Sequence, residues 1–383
     1  MRGLTLPSMP VLHINTERTW RGGEQQALYL ARGQKDRGLT VTVACQPDSP
    51  MADRAAESGL DVAQVRMSGE ADVASAYKLA RLIRERESSI VHMHTSHAHT
   101  VGCLASALAR RGVRIVTRRV DFRPIKNAFS KFKYRWGVHK YVAISNAIKQ
   151  VMVADGIAAD RIAVVHSGID ISRFDIAPAQ PELRNEFQLD PNRLVVGNVA
   201  HMADHKGQRY LIEAVPDVLR EFPTAKFVIV GDGELRSDLE ARVARLGIED
   251  SVIFAGSRND VPQILRLLDV FVMSSHMEGL CTSIMDAMAA GIPVVASDAG
   301  GIPEIVQNEV NGLLVPARKP ALLAEAILRV LKNRGEAAEF ARAGRKTVEE
   351  KFTLDTMVEG NIRVYRQLLK GATQANAQSN PPG

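Results

Sequence analysis

Residues 270–291 read VFVMSSHMEGLCTSIMDAMAAG, which is a short apolar run, a polar loop and then a second apolar segment. The run at 270–274 is continuous rather than alternating, as is typical of a strand covered on both faces of a parallel sheet. From residue 282 to residue 290 the apolar side chains follow a helical period. The stretch therefore predicts a strand that leads directly into a helix, the repeating unit of a doubly wound α/β fold.

The same alternation of strand and helix recurs along most of the chain. Strands are predicted at residues 11–15, 40–45, 61–67, 90–94, 114–120, 141–145, 162–167, 194–200, 226–231, 252–255, 270–274 and 293–297. Helices are predicted between them, for example at residues 24–37, 72–87, 146–155, 208–220, 235–246, 282–290 and 321–332. This order predicts two doubly wound parallel-sheet domains with a cleft between them.

The length of 383 residues fits two domains at roughly 150 residues each. Residues 175–191 are polar, contain three prolines and lack periodicity, so they are interpreted as a linker. The predicted domains are therefore 1–185 and 186–353, followed by a helical segment at 354–371. Residues 372–383, rich in Gln, Asn, Ser and Pro, are predicted to be disordered.

The composition, 45% hydrophobic and 24% charged, excludes disordered, collagen-like and disulfide-scaffold proteins. Cys45, Cys103 and Cys281 are far apart and form no CxxC motif, so neither a zinc site nor a disulfide framework is expected. No window reaches the ~18 apolar residues of a spanning helix, and the N-terminus lacks the pattern of a secretory signal. A cytoplasmic protein is predicted.

The net charge of +6 is concentrated in the first half of the chain. Residues 1–192 hold 27 Lys and Arg against 19 Asp and Glu, which gives +8, while the remainder holds 22 against 24, which gives −2. Nine Lys and Arg lie between residues 114 and 140, with Asp121 as the only acid. This excess predicts an anionic partner: nucleic acid, a membrane surface or a phosphorylated substrate.

Ligands of open parallel sheets bind at loops that follow the strands, and the first such loop contains Gly22 and Gly23 before a helix. Paired glycines let backbone N–H groups approach an anion, although the same pair also suits a plain tight turn. Neither this loop nor residues 231–234 form a GxGxxG motif, so a dinucleotide-binding dehydrogenase is not supported.

Two later loops carry charged residues next to predicted helix starts. Lys206 before Gly207 is suited to bind a diphosphate, or alternatively is a solvated helix cap. Glu278 and Asp286 are eight positions apart, across a helix start whose amide groups would face a bound phosphate. Glu278 could hold sugar hydroxyls and Asp286 a ribose diol, or both could be surface acids that favour the helix dipole.

Glu278-Gly279, the acid at 286 and Gly291 resemble the Glu-(seven residues)-Glu signature of retaining glycosyltransferases with the GT-B architecture, especially the family-four group. Other landmarks occur in that family's order across residues 13–316. They are Gly22-Gly23-Glu24, Ser167-Gly168-Ile169-Asp170, His201…Lys206-Gly207, Gly300-Gly301-Ile302-Pro303-Glu304 and Asn311-Gly312-Leu313-Leu314-Val315.

The resemblance implies two facing Rossmann-like domains, with the helix at 354–369 crossing back to the first. It implies a retaining enzyme that moves a sugar from a nucleotide-sugar, with UDP as the usual carrier, to a glycan or lipid-linked acceptor. A role in surface polysaccharide or lipopolysaccharide synthesis, on the inner face of the membrane, is the corresponding expectation. A nucleotide-sugar epimerase of the same architecture and a non-catalytic nucleotide-sugar-binding protein remain alternatives.

By position, the resemblance implies catalytic roles for His97, Lys206 and Glu278. It implies donor binding by Gly22, Gly23, His201, Lys206, Glu278, Gly279, Leu280, Cys281, Thr282 and Asp286. The chain departs from the family pattern at His201 (usually Arg), Asp286 (usually Glu) and Cys281 (often Pro). Because the sequence has no DxD pair to chelate a divalent ion, neither a metal nor another cofactor is expected.

Four histidines lie at positions 92, 94, 97 and 99. Besides the role that the resemblance implies for His97, two other interpretations of these histidines remain open, a metal site and core residues. Imidazole suits several transition metals, but no acid or Cys stands near to complete a shell. Core or capping histidines are the other reading.

Residues 117–136 mix cations with aromatic side chains. That mixture suits an anionic membrane surface or a lipid-linked acceptor, whereas a solvated helix and single-stranded nucleic acid are alternatives. The lipid reading is favoured and no nucleic acid is expected. The predicted membrane contacts are Arg118, Arg119, Lys131, Lys133 and Arg135.

Overall fold

The computed structural model describes residues 9–69, 72–119, 133–134, 137–175, 181–190 and 192–379. The chain forms two compact units: residues up to Gly168 together with those from Leu354 onward make the first, and Ile169–Thr353 makes the second. The chain enters and leaves the second unit at one point, where Ile169 N–H donates to the Phe352 carbonyl at 2.9 Å. This division lies earlier than the predicted boundary at 185.

The boundary differs because the described part of the predicted linker is structured. Its described part contains a short helix, Pro181–Glu186, and Leu183, Phe187 and Leu189 are buried in the second unit. A polar segment with prolines therefore still contributes apolar side chains to a core, at spacings too irregular for a periodicity test.

A seven-stranded sheet forms the centre of the first unit, with all strands parallel in the order β3-β2-β1-β4-β5-β6-β7. The strands are β1 (Val11–Ile14), β2 (Val41–Cys45), β3 (Asp61–Gln64), β4 (Ile90–Met93), β5 (Val113–Arg118), β6 (Lys140–Ala143) and β7 (Ile162–Val164). The helices are α1 (Gly22–Asp36), α2 (Pro50–Glu57), α3 (Val73–Glu85), α4 (Ser96–Ala109) and α5 (Asn146–Ala154).

The second unit contains a six-stranded parallel sheet in the order β10-β9-β8-β11-β12-β13. Its strands are β8 (Val195–Val199), β9 (Lys226–Val230), β10 (Val252–Gly256), β11 (Val270–Met273), β12 (Val294–Asp298) and β13 (Leu313–Pro316). Its helices are α6 (Pro181–Glu186), α7 (Gln208–Glu221), α8 (Arg236–Leu246), α9 (Val261–Leu265), α10 (Thr282–Ala289), α11 (Pro320–Lys332) and α12 (Arg334–Lys351).

Several helices begin directly after a strand because a side-chain oxygen caps their first turn. Thr95 accepts a hydrogen bond from Ala98 N–H at the start of α4, and Ser145 accepts one from Ile148 N–H at the start of α5. Such N-caps satisfy backbone donors that the helix itself leaves unpaired. The result is a sharp strand-to-helix turn at the carboxyl edge of the sheet.

The last helix, α13 (Leu354–Ser379), belongs to the first unit, which confirms the predicted return of the chain. Arg37, at the end of α1, pairs with Asp355 at 2.5 Å and with Glu359 at 2.7 Å on this helix. The helix continues to Ser379, so the prediction of disorder from residue 372 onward is wrong for the part that the structure describes. Alanine and glutamine, frequent there, are good helix formers.

Within the described residues no helix combines the length and the apolar character that a membrane span requires.

Candidate functional site

The candidate site of the second unit is built from the loops that follow β8 and β11. These strands are neighbours in the sheet, so their carboxyl ends bring residues 200–207 and 274–281 side by side. His276 N–H donates to the His205 carbonyl at 3.0 Å across the two loops. A Cβ at Gly207, whose φ is +65°, would lie 2.3 Å from the Ser274 carbonyl oxygen. The loops can therefore approach this closely only with glycine at 207.

Lys206 and Glu278 meet at this junction, as the sequence predicts for two residues of one site. Lys206 Nζ donates to Glu278 Oε1 at 2.5 Å, and Ser275 Oγ donates to the same oxygen at 3.1 Å. The Glu278 side chain is 7% exposed and that of Lys206 is 20% exposed. The pair is thus a largely desolvated, charge-assisted contact rather than a surface ion pair.

The backbone of Glu278 is fixed by a third loop, which follows β12. Gly301 N–H donates to the Glu278 carbonyl at 2.9 Å. Gly300 has φ +53°, and a Cβ there would lie only 1.9 Å from the same carbonyl oxygen. Sequence reasoning used these glycines as family landmarks, whereas their physical role is to admit the Glu278 loop.

Helix α10 begins beside this pair, and among the described residues no side chain forms a capping hydrogen bond at its N-cap, Cys281. The residues before it, Gly279, Leu280 and Cys281, are buried. Burial, reinforced by the Glu278 carboxylate, raises the pKa of the Cys281 thiol. Thr282 opens the helix, so its first-turn amide groups point towards the loop that carries Glu278.

Asp286 lies further along α10, which packs against the turn at Ile171–Phe174. Burial raises the pKa of Asp286 to about 7, and the Arg173 cation opposes this shift. Near neutral pH the group is therefore divided between a carboxylate that only accepts hydrogen bonds and an acid that also donates one.

His201 is oriented differently from the Lys206–Glu278 pair. Its Nε2 lies 3.2 Å from Glu234 Oε2, and both side chains are exposed. His276, whose Nε2 lies 3.4 Å from Asp204 Oδ2, is instead nearly buried between the two loops. His276 was not singled out from the sequence, because its only signal was its position next to Glu278 in the loop.

The predicted residues of the first unit lie at the carboxyl edge of its sheet. Gly22 and Gly23 open α1, and His97 is exposed in the first turn of α4. His99, in contrast, is buried with its ring edge-on to Tyr134 at 5.0 Å. Burial lowers the pKa of His99 to about 3, so it is a neutral core residue.

Three further histidines form a buried cluster in the first unit. His13 on β1 is in register with His92 on β4, and His94 follows β4. Nitrogen atoms of the three rings lie within 4.8 Å of one another, as a metal site requires. Burial lowers the pKa of His13 to about 4 and holds those of the other two well below the ordinary value. The sequence analysis singled out His92 and His94 but not His13.

Hydrogen bonds already engage the ring nitrogens of this histidine cluster. His13 Nδ1 and His94 Nε2 are 2.8 Å apart. The outer partners are Gln34 (2.8 Å from His13), Tyr365 (2.5 Å from His92), Thr117 (2.6 Å from His92) and Arg119 (3.2 Å from His94). The arrangement is that of a core hydrogen-bond network, which ties β1, β4 and β5 to α13 through Tyr365.

Two described cations of the basic segment, Arg118 and Lys133, are not presented to a surface, whereas Arg119 is half-buried. Arg118 is buried and donates to Tyr134 OH at 3.1 Å. Lys133 is buried as well and donates to the Ser96 carbonyl at 2.8 Å. The predicted membrane contacts are therefore wrong for these two residues, because their charges are used inside the unit. Lys131 and Arg135 lie outside the described residues.

Comparisons with known proteins give a consistent assignment across both units. Residues 179–347 match the family described as Glycosyl transferases group 1, and residues 20–173 match Glycosyltransferase Family 4. The UDP-Gal:alpha-D-GlcNAc-diphosphoundecaprenol alpha-1,3-galactosyltransferase of Escherichia coli is 29% identical over 274 residues, covering 68% of this chain and 70% of its own length.

Two other proteins extend this picture. The GDP-mannose-dependent alpha-(1-6)-phosphatidylinositol monomannoside mannosyltransferase of Mycobacterium tuberculosis (strain ATCC 25618 / H37Rv) is 34% identical over 200 residues. That match covers 50% of this chain and 52% of the relative, so the chain spans about half of its length. The crystal structure of Anabaena Alr3699/HepE in complex with UDP-glucose has a TM-score of 0.81 and 24% identity, covering 95% of this chain and 100% of that one.

Proposed function

The chain belongs to the group 1 and family 4 glycosyltransferases and has their GT-B fold, and from this premise we propose that its donor is a nucleoside diphosphate sugar. The sugar passes, with retention of configuration, to a glycan or lipid-linked acceptor in the synthesis of a surface polysaccharide or lipopolysaccharide. UDP is the first carrier to test, because the E. coli relative is named for UDP-Gal. GDP is the second, because the mycobacterial relative is named for GDP-mannose.

The Lys206–Glu278 pair beside the start of α10 is the observation that carries this proposal. A diphosphate at the uncapped helix start would meet first-turn N–H groups and would attract the Lys206 ammonium. Glu278 Oε1, released from Lys206, would then accept hydroxyl groups of the sugar. Each partner thus neutralises the other in the free protein and takes up a substrate group when the donor binds.

The other proposed donor contacts follow from placing the diphosphate at the start of α10. The backbone of Gly279, Leu280, Cys281 and Thr282 would line the phosphates, and Asp286 would accept the ribose diol. His201 would reach the diphosphate only by leaving Glu234, so it contributes less than Lys206. In the first unit, Gly22, Gly23 and His97 are proposed to contact the donor or the acceptor.

The chemistry proposed for this site needs no nucleophile from the protein. The departing phosphate accepts the proton of the acceptor hydroxyl on the face where the new bond forms, which retains the configuration. Lys206 and the α10 amide groups stabilise the negative charge that grows on the leaving diphosphate. Holding donor and acceptor in reacting geometry supplies the remainder of the rate enhancement. The transfer is proposed to proceed without a metal ion.

Thermal shift with a panel of UDP-, GDP- and ADP-sugars tests the donor assignment. We expect one nucleotide class to raise the melting temperature of the wild type, and both Lys206→Ala and Glu278→Ala to diminish that shift. Lys332→Ala, at an exposed ion pair of the same unit, is the matched control and should respond as the wild type does. A donor shift that Lys206→Ala leaves unchanged would refute the role of Lys206.

Turnover assays separate transfer from the two alternatives. Donor incubated alone should stay intact apart from slow hydrolysis, whereas an epimerase would isomerise the sugar without an acceptor. Addition of the correct acceptor should release nucleoside diphosphate, which a binding protein would not do. NMR of the product should show the anomeric configuration of the donor, and EDTA should leave the rate unchanged.

A further inference from the structure

Arg119 is a charged residue that the site of the second unit does not use. It follows β5 at the carboxyl edge of the first unit's sheet, where β5 lies between β4 and β6. A Cβ at Gly23 would lie 3.5 Å from Arg119 Cδ, so the arginine side chain runs along the first turn of α1. A cation therefore lies against the amino end of a fifteen-residue helix.

The Arg119 guanidinium lacks a counterion among the described residues. Its Nη2 donates to His94 Nδ1 at 3.2 Å, and its Nε is buried without a hydrogen-bond partner. Glu24 is the acid whose charge acts on it, but Glu24 Oε2 accepts from Arg21 N–H at 3.1 Å instead. Leaving a half-buried cation without a counterion is costly, because buried charges in proteins are generally paired.

The histidine cluster fixes this cation in place. Because arginine only donates, His94 must accept at Nδ1 and, being neutral, carries its proton at Nε2. His94 Nε2 then donates to His13 Nδ1 and His13 Nε2 donates to Gln34 Oε1, and among the described residues no carboxylate enters this chain. The donors and acceptors run in the order Arg119, His94, His13, Gln34, Tyr365, His92 and Thr117. The Arg119 guanidinium is thus hydrogen-bonded to the end of a network of neutral partners.

We propose that the first unit has an anion-binding site of its own, formed by the Arg119 guanidinium and the N–H groups of Gly22 and Gly23, and that its ligand is a phosphoryl group. The planar fork of arginine and the amide groups of a helix start both match the oxygens of a phosphate. Among the residues that the structure describes, a Cβ at Gly22 would meet nothing within 4 Å. The phosphoryl group belongs to the donor or to a lipid-linked acceptor. This assignment of the ligand rests on the proposed transferase function, whereas the binding of phosphate itself does not.

Calorimetric titration with inorganic phosphate at constant ionic strength tests the site, in the Lys206→Ala background that removes the cation of the second unit. We expect Lys206→Ala to bind phosphate and Lys206→Ala/Arg119→Gln to bind it at least tenfold more weakly. Arg81→Gln, at an exposed ion pair with Glu85, is the matched control and should leave the affinity unchanged. Equal affinity of the first two proteins, or no binding by either, would overturn the proposal.

A second variant tests the same site independently, in case Arg119→Gln fails to fold. Gly23→Asp should place a carboxylate next to Arg119, at a helix position where acids are favourable. It should therefore raise the melting temperature and abolish phosphate binding, and a variant that still binds phosphate would contradict the site.

Competition identifies the source of the phosphoryl group. Displacement of phosphate by UDP or GDP assigns the site to the donor, and displacement by a short prenyl diphosphate alone assigns it to the acceptor. Failure of all of them to displace phosphate counts against a substrate site. None of these titrations depends on turnover, so failure of the transferase proposal would be recognised separately.

Discussion

Removing the Lys206 ammonium should destabilise the second unit far more than removing a surface lysine. Lys206→Met keeps the length and the apolar stem of the side chain but deletes the charge. Glu278 would then keep a carboxylate that is 7% exposed, with the Ser275 hydroxyl as its remaining side-chain partner among the described residues. The buried charge, rather than the lost contact itself, sets the size of the effect.

The structure also sets the expected loss of stability in Lys206→Met. Breaking a fully buried ion pair by removing one partner costs about 3–5 kcal/mol, and the 20% exposure of Lys206 argues for about 3 kcal/mol here. Thermal unfolding of a unit of this size moves by about 2–4 °C per kcal/mol, which predicts a drop of roughly 6–12 °C. The exposed Lys332–Glu221 pair, at 3.1 Å, should lose no more than about 1 kcal/mol in Lys332→Met.

Denaturant unfolding of a double-mutant cycle measures the effect directly. Lys206→Met/Glu278→Gln should recover most of the stability that Lys206→Met loses, because the neutral amide can be buried without a cation. The coupling energy at 206/278 should exceed that at 332/221 by about 2 kcal/mol. If Lys206→Met and Lys332→Met unfold alike, Glu278 is not a desolvated carboxylate and the reasoning fails.

Three further changes test other parts of the structure. Burial raises the pKa of Asp286 from 3.8 to about 7, so the stability linked to this group is full below pH 4 and is lost as the pH rises through 7. Asp286→Asn should therefore exceed the wild type in stability at pH 8, by at most about 4 kcal/mol, and the gap should close towards pH 4 in urea titrations. Tyr365→Phe leaves its buried hydrogen-bond partners on α1 and β4 unsatisfied and should cost about 2 kcal/mol, as measured by thermal unfolding of the first unit. Gly300→Ala should lower both stability and donor binding, because the new Cβ would collide with the Glu278 carbonyl. Gly291→Ala is the control: Gly291 has a similar φ and, among the described residues, a Cβ there would meet nothing within 4 Å, so this variant should lose only about 1–2 kcal/mol of stability. Equal losses of stability in the two alanine variants would contradict the contact.

The sheets were predictable because parallel strands buried on both faces leave a continuous apolar signal. Every strand was located from the sequence except β13, whose four residues LLVP end in a proline and have the edge position of their sheet. Helix α12 was missed for a different reason. Its buried positions, Ala337, Phe340, Gly344 and Val348, include two small residues, so the apolar side of this polar helix has little hydrophobic signal.

The candidate site was predictable only in part. Lys206 and Glu278 were found because each charge follows an apolar strand, and ends of neighbouring strands meet. The use of Arg118 and Lys133 was misjudged because a run of cations has the same composition whether it faces solvent or a buried hydroxyl or carbonyl. His13 joins His92 and His94 only through the β1–β4 pairing, which no local pattern encodes. Charge and periodicity therefore identify candidates, while pairing between distant strands decides their partners.

Glycine positions indicate which distant loops meet better than charged residues do. Gly207 and Gly300 come from different strand ends, yet each is required by a carbonyl of the loop that carries Glu278, namely those of Ser274 and Glu278 itself. Three loops thus touch backbone to backbone around one carboxylate, and a side chain at either glycine would separate them. In this chain, a glycine in the loop between a parallel strand and the next helical segment therefore marks where neighbouring loops meet. For this chain the two glycines locate Glu278 at the point of contact, without reference to its charge.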